Sequence, residues 1–497
     1  MDIILTSDPA ELVTAELLAV PFTGTLSPTA TRLDNALGGG LTELLASNEA
    51  SAEPGTAAIL HTGANGRLAA SRVALVGVGD AAAMDDDAVR TAAATAVRSL
   101  RRIGGTVVWA LDPGLGIGDE MQVKSVVEGA LLGGHNPARW KTGDAVPQAG
   151  RAVIAEAGPE LEHVADRAAI VARWTNRARE LVDGPPNEIT PEGLARSAAA
   201  LLDSYPVAVE VHAPSETAIE DLRALSLVGK GSVNEARLIV LRYRGGSARG
   251  DVLALVGKGV TFDSGGFFLK SQDDIVRQKA DMGGGAAAIG AIGAIAELGL
   301  PLDVIAVVPA AENMIGGGAY RPGDIFTTAA GLTVEITNPD AEGRLILADA
   351  IWYAKQHGAT HLVDIATLTG AMRGGMGDMY SGVFANRDDW RALLVEAGEA
   401  SGDHAWPWPL HPRYRRLLES RIADLRNTAG KSFGYPIIAA SFLERFAGET
   451  PWAHVDIQST AYLDEQRDYF AAGATGAGVR LLIELATRMS RSTTAAD

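Results

Sequence analysis

No cysteine occurs in the 497 residues of this chain. Disulfides, thiolate metal sites and cysteine nucleophiles are therefore excluded, and a chain without thiols fits a reducing compartment. Aromatic residues are scarce, at 5%, while Ala and Gly abound, the composition of an ordinary globular protein. Positive charge is in the minority. Lys and Arg number 43 against 61 Asp and Glu, a formal net charge of -18, and the sequence pI is about 5.0. That balance favours solubility and argues against a general polyanion binder. Long apolar runs are also missing, since no segment reaches the ~18 apolar residues of a membrane span. The N-terminal residues Met1-Asp2-Ile3-Ile4-Leu5-Thr6 lack a basic n-region and an apolar run, so they do not read as a signal peptide. A cytoplasmic location is expected. There is no HExxH zinc motif and no GxxxxGK[ST] phosphate loop. Val76-Gly77-Val78-Gly79 lacks the third glycine of a dinucleotide fingerprint.

The length allows two to four domains. Apolar runs bounded by glycine turns predict strands at 73–79, 107–111, 207–211, 238–241, 252–256, 303–308, 334–337 and 362–365. Helical spacing predicts helices at 88–103, 126–132, 164–181, 284–298, 343–356 and 390–400. Strand–helix alternation of this kind specifies a layered α/β architecture. Residues 141–151 are polar and carry Gly and Pro, marking an approach to a domain boundary, and 164–181 is a candidate connector. Gly184-Pro185-Pro186-Asn187 then breaks the chain. No internal repeat or low-complexity segment is present. The tail after Met489 is short and polar and is expected to fray.

Two clusters carry chemistry. Asn338-Pro339-Asp340-Ala341-Glu342-Gly343-Arg344-Leu345 puts two carboxylates and an arginine on one turn between a strand and a helix. Gly257-Lys258-Gly259-Val260-Thr261-Phe262-Asp263-Ser264-Gly265-Gly266 follows a strand directly, with Lys270 and Asp281 downstream. All these segments sit where strands hand over to helices, and in open α/β sheets ligands bind at that edge. Taken singly, each acidic residue is a solvated surface group more often than a ligand. Four carboxylates massed together (Asp263, Asp281, Asp340 and Glu342) repel, and cations are needed to hold them. Oxygen-rich sets suit Mg, Mn and also Zn, and four carboxylates can hold two divalent ions. Burial and adjacent cations would lower the pKa of Lys258 enough for it to coordinate. Lys270 suits a developing oxyanion. Arg344 opposes the dipole of the helix it opens, which suggests a fixed anion nearby. His454 reads as a structural histidine beside a strand. The Arg98, Arg101 and Arg102 cluster reads as a solvated helix face.

These segments resemble the leucyl aminopeptidase family. The 338–345 stretch is similar to the family signature NTDAEGRL with one change, and 256–266 matches its other signature. Further matches are Pro185-Pro186-Asn187 through Thr190-Pro191, Glu312-Asn313-Met314, Arg321-Pro322-Gly323-Asp324, 364–370 and Ala474-Thr475-Gly476. They cover the C-terminal two-thirds almost continuously. Before residue ~160 the likeness rests on Val76-Gly77-Val78-Gly79 and Glu128-Gly129-Ala130-Leu131-Leu132-Gly133. The resemblance implies a smaller N-terminal α/β domain (1–160), a connecting helix (161–184) and a larger catalytic α/β domain with a mixed central sheet (185–497). It also implies metal-dependent release of N-terminal amino acids, leucine-like ones preferred, by a two-metal-activated water.

Carried over position by position, Lys258, Asp263 and Asp281 bind one metal. Asp263, Asp340 and Glu342 bind the other, with Asp263 and Glu342 bridging and the Asp340 carbonyl contributing. The ions would be Mn or Zn, with Mg or Co as alternatives. Lys270 stabilises the gem-diolate, and Arg344 holds a bicarbonate as proton shuttle. Met282, Thr367, Leu368, Gly370 and Gln458 join Lys270 around the substrate, the backbones of Leu368 and Gly370 lying near the scissile bond. The implied assembly is a homohexamer of two stacked trimers acting on short peptides, with no membrane partner.

The chain departs from the family at Pro339, where the usual residue is Thr, at Phe267-Phe268, at Gly283-Gly284-Gly285 and at Gln458, which stands where alanine is common. The last of these bears on the leucine preference. Two other readings compete: a DNA-binding regulator using the N-terminal domain, disfavoured by the acidic excess before residue 160, and a peptidase-like protein that has lost activity, disfavoured by the complete ligand set.

Overall fold

The computed structural model describes the chain except residues 64–67, 139, 144–145, 217–218, 431–432 and 495–497. The chain divides into two compact units, residues 1–176 with Asp464–Ala472, and residues 177–463 with 473–497.

The first unit holds a sheet of β1 (Asp2–Thr6), β2 (Leu17–Phe22), β3 (Ala57–His61), β4 (Arg72–Gly77), β5 (Gly105–Ala110) and β6 (Ala149–Ala155). Their order is β1-β6-β5-β2-β4-β3. Every pairing is parallel except that of β3 with β4. Helices α1 (Pro28–Ala36), α2 (Gly40–Ala46), α3 (Asp86–Ser99) and α4 (Asp119–Gly133) accompany it. Their starts are written locally. Ser27 caps α1 ahead of Pro28, and Asp85 caps α3 ahead of Asp86 and Asp87. Helix α4 begins earlier than the apolar run at 126–132 suggests, because its first turns are polar. Arg98 is not a freely solvated charge: it is half-buried and donates to the Asp468 carbonyl at 2.6 Å. Arg101 and Arg102 are exposed. Helix α5 (Glu162–Asp183) runs across the division between the units.

The second unit is built on a nine-stranded mixed sheet. Its strands are β7 (Val207–His212), β8 (Arg237–Arg244), β9 (Val252–Gly257), β10 (Gly259–Asp263) and β11 (Asp303–Asn313). Two short strands outside it follow, β12 (Ile325–Thr327) and β13 (Thr333–Glu335), and then β14 (His361–Ala366), β15 (Ser381–Ala385) and β16 (Ala405–Pro407) within it. A third short strand, β17 (Leu425–Arg426), joins β12 and β13 in a small sheet of their own. The expected strand at 334–337 belongs there and not to the main sheet. The main sheet is completed by β18 (Trp452–Asp456), and β19 (Tyr462–Leu463) pairs with β20 (Gly473–Ala474). The main order is β16-β15-β18-β14-β9-β11-β8-β7, with β10 paired to β11. Strands β18, β14, β9 and β11 run parallel, and β10 runs parallel to β11. Their carboxyl ends therefore share one edge.

The helices of this unit are α6 (Pro191–Leu202), α7 (Arg223–Gly229), α8 (Gln272–Ile275), α9 (Gly283–Glu297), α10 (Gly343–Gln356), α11 (Ala371–Met376), α12 (Asp388–Ser401), α13 (Tyr435–Ala447) and α14 (Val479–Thr494). Helix α14 continues past Met489 to Thr494. Helix α9 is apolar all round and buried along nearly its whole length, the pattern of an interior helix. Each fully buried Ile in it contributes roughly 1.5–3 kcal/mol. Its opening glycines serve packing. A Cβ on Gly284 would lie 2.0 Å from the Ile365 carbonyl oxygen, and one on Gly257 2.4 Å from the Gly284 oxygen. The first turn of α9 thus presses on the ends of β9 and β14. Among the described residues, no helix is long and apolar enough to cross a membrane.

Candidate metal centre

Five of the expected residues converge at the shared carboxyl edge. Lys258 fills the single position between β9 and β10, and Asp263 is the last residue of β10. Asp281 and Met282 lead into α9, and Asp340 and Glu342 lead into α10. Carboxylate oxygens of Asp263, Asp340 and Glu342 lie within 4.8 Å of one another. Lys258 Nζ lies 2.7 Å from Asp281 Oδ2 and 2.9 Å from Glu342 Oε1, and donates to the Thr367 carbonyl at 3.0 Å. Lys270 Nζ reaches Asp263 Oδ2 at 2.8 Å and also contacts Asp340. Helix α10 has no side-chain N-cap, because the glutamate at that position is turned to Lys258. Gly343 leaves room for this contact: a Cβ there would sit 2.6 Å from Lys258 Cε.

The charges do not balance. Among the described residues, the cations in direct contact with Asp263, Asp281, Asp340 and Glu342 are Lys258 and Lys270. Burial pushes Asp281 up to about 8 against the pull of Lys258. Burial, reinforced by Asp263, pushes Asp340 up to about 7 against Lys270. Burial and then Glu342 raise Asp263. For Glu342 burial acts upward, but Lys258 and Lys270 outweigh it and hold the group below its usual range. Lys258 is pulled both ways. Burial does favour its neutral amine, yet Asp281 and Glu342 outweigh that and keep it charged. Lys270 is held charged in the same way, chiefly by Asp263. Two lysines cannot offset four carboxylates, and Glu342 Oε2 is buried with no hydrogen-bond partner. Such a donor set fits hard divalent cations.

Arg344 lies in the first turn of α10 and is 1% exposed. One Nη donates to the Asn427 carbonyl at 2.8 Å, and the guanidinium stands 5.2 Å from the Tyr435 ring centre. Its Nε is buried without a hydrogen-bond partner. Burial lowers its pKa, against Tyr435 and Glu342. A buried cation with an unused donor fits a small anion.

The expected substrate residues form a second layer. Thr367 Oγ1 donates to Asp281 Oδ1 at 2.9 Å. The Leu368 N–H is taken by Asp456 Oδ1 at 3.2 Å. Gly370 is exposed and Met282 fully buried. Gly283, beside Met282, has Thr367, Ala461 and Ile457 within 4 Å of the point its Cβ would occupy. Ile457 in turn adjoins the half-buried Gln458, so the 281–283, 367–370 and 456–461 segments meet.

Several residues at the centre were given no role by sequence reasoning. Asn313 Nδ2 donates to Asp263 Oδ1 at 2.8 Å and to the Pro339 carbonyl at 3.0 Å. Tyr320 and Asn427 hold the turns carrying Asp340 and Arg344. Asn313 stands in the Glu312-Asn313-Met314 match, and Tyr320 directly precedes Arg321-Pro322-Gly323-Asp324. That proximity was the available signal.

The model of the cytosol aminopeptidase family's catalytic domain matches residues 176–483, and that of its N-terminal domain matches 19–144. The chain belongs to the cytosol aminopeptidase family. It is similar to a probable cytosol aminopeptidase of Geobacter sulfurreducens, 41% identical over 91% of this chain and 92% of that one. A probable cytosol aminopeptidase of Solibacter usitatus is 43% identical over 90% and 92%. Among solved structures, the bottromycin maturation enzyme BotP in complex with Mn superposes with a TM-score of 0.85 at 33% identity, covering 96% of this chain and 100% of that one. Family membership makes the chain a metal-dependent aminopeptidase, a hydrolase that removes N-terminal residues.

Proposed function

We propose that the chain releases N-terminal amino acids from short peptides with two divalent ions per subunit. The observation that carries this reading is the convergence of Asp263, Asp281, Asp340 and Glu342 on two lysines that cannot neutralise them. Lys258, Asp263 and Asp281 would hold one ion; Asp263, Asp340 and Glu342 would hold the other, with the Asp340 carbonyl. The oxygen-rich set admits Mn, Zn, Mg or Co, and the likeness to BotP, whose structure was solved in complex with Mn, favours Mn. When bound, the ions polarise the scissile carbonyl and lower the pKa of water. Divalent charge among the carboxylates would lower the pKa of Lys258 and would leave its amine able to coordinate.

The protein's own groups do the rest. Lys270, still cationic, donates to the oxygen that gains charge as the carbonyl is attacked. Arg344 would hold a bicarbonate, which would supply a proton-carrying group beside the centre. Met282, Thr367 and Gln458 border the first side chain, and the Leu368 and Gly370 backbones align the peptide. The catalytic work is assigned to 185–497, with 161–184 as connector and 1–160 as the smaller domain. A cytoplasmic homohexamer is the assembly consistent with the family likeness, and its mass in solution tests it.

The decisive assay is release from a panel of aminoacyl-p-nitroanilides after chelation, after Mn or Zn addition, and with Asp340→Ala. Metal-restored release, absent in Asp340→Ala, is expected. An Asp340→Ala rate equal to wild type would sink the assignment.

A further inference from the structure

We propose that Asp456, backed by His454 and Asp364, is a positioning residue that holds the 367–370 loop in the shape that receives the peptide. The inference rests on the reading above, in which that loop's backbone meets the substrate.

Asp364, His454 and Asp456 are each 0% exposed, and the proposed chemistry uses none of them. In the parallel pairing of β14 with β18, Asp364 sits opposite His454 and Ala366 opposite Asp456. Side chains two apart on a strand share a face, so the three form a row leading to the carboxyl edge. At the deep end, Asp364 accepts from Trp452 Nε1 at 2.6 Å and pairs with His454 Nδ1 at 2.5 Å. The imidazole lies against Phe384, ring centres 5.8 Å apart at 26°. Its Nε2, which has no hydrogen-bond partner, is 4.0 Å from Asp456 Oδ2. Burial opposes charging this ring, but Asp364 outweighs it and shifts the balance toward the charged form.

The outer end of the row is spent wholly on loops. Asp456 Oδ1 accepts the N–H groups of Leu368 and Gln458, each at 3.2 Å, and Oδ2 accepts the Thr369 hydroxyl at 2.6 Å. On its other side the same loop is tied to the metal centre. Thr367 Oγ1 donates to Asp281, and the Thr367 carbonyl accepts from Lys258. Residues 367–369 are thus stretched between Asp456 and the centre. Burying three ionisable groups is a weak way to stabilise a core, because an apolar trio packs as well. Fixing a loop to a particular register is a use that apolar side chains cannot serve.

Thr369→Val removes the shortest of these bonds at nearly constant volume, and Thr369→Ser keeps it. Steady-state kinetics on the aminoacyl-p-nitroanilide that wild type cleaves fastest, together with bound-metal analysis, reads the effect. We expect Thr369→Val to raise KM about tenfold or more, the size of a lost bond to a charged group. kcat should fall less, metal content should hold, and Thr369→Ser should match wild type. Asp456→Asn, which loses the charge facing His454 but keeps an acceptor oxygen, should raise KM in the same direction. An unchanged KM in both Thr369→Val and Asp456→Asn would overturn the proposal, as would equal losses in the Val and Ser variants. Failure of wild type itself to cleave any substrate would instead remove the underlying reading, and this inference with it.

Discussion

The hydroxyl of Tyr320 donates to the carbonyl oxygen of Pro339 at 2.7 Å, and both residues lie one step outside the ring of candidate ligands. Asn313 donates to the same oxygen and to Asp263. Proline has no N–H to anchor this turn, so the clamp on its carbonyl fixes the peptide plane from which Asp340 departs. Groups that orient ligands typically carry about 10–100-fold in metal affinity. Tyr320→Phe should lose affinity on that scale while remaining folded, as read by metal titration calorimetry. Equal affinities would show that Asn313 alone suffices.

Gly343 predicts a steric result. Alanine there would press a methyl group on Lys258, with 2.6 Å to Cε. The lysine would have to shift by something near an ångström, and misplacement on that scale costs about 10²-fold in rate. Gly343→Ala should lose activity to that extent with little change in melting temperature. Wild-type kcat/KM in this variant would mean that Lys258 does not act from its observed position.

Gln458 predicts a change of specificity. It brings a longer, polar side chain to a position where the family commonly has alanine. Gln458→Ala should raise kcat/KM for leucyl over alanyl substrates, by about 10-fold or more on the scale of differences in buried apolar volume. An unaltered ratio would place the first side chain elsewhere.

Asp349 predicts a pH dependence remote from the chemistry. It is 1% exposed, and its two oxygens accept the Ala329 and Ala224 N–H groups at 2.9 and 2.7 Å. Burial outweighs those bonds and lifts it from 3.8 to about 7. The folded chain then holds a proton that the unfolded chain gives up, so its contribution is full below the unfolded value and fades as pH rises towards 7. Asp349→Asn leaves one N–H facing an amide nitrogen and should cost ~1–3 kcal/mol. Denaturant midpoints across this range should show wild type's advantage shrinking as pH rises; a constant gap would mean the carboxylate stays ionised.

Much of the geometry of the centre was legible because its candidate ligands sit at strand ends and helix starts. Lys258 follows the apolar run 252–256, and Asp340 and Glu342 precede the helical pattern at 343–356, so alternation alone brought them to one edge. Asn313, Tyr320, Asn427 and Asp456 gave no such sign. Each acts through a partner more than fifteen residues away, and local pattern does not report such pairings. The same limit hid the short strands β12 and β17, three and two residues long, which are set by tertiary pairing more than by propensity.

The segment Asp464–Ala472 belongs to the first unit although the residues on either side of it belong to the second. Its Asp468 carbonyl receives Arg98. The two units are consequently not separable cassettes. A single crossover near residue 176 between two relatives would leave this stretch from one parent packed into the other parent's scaffold. Functional hybrids would need both pieces inherited together.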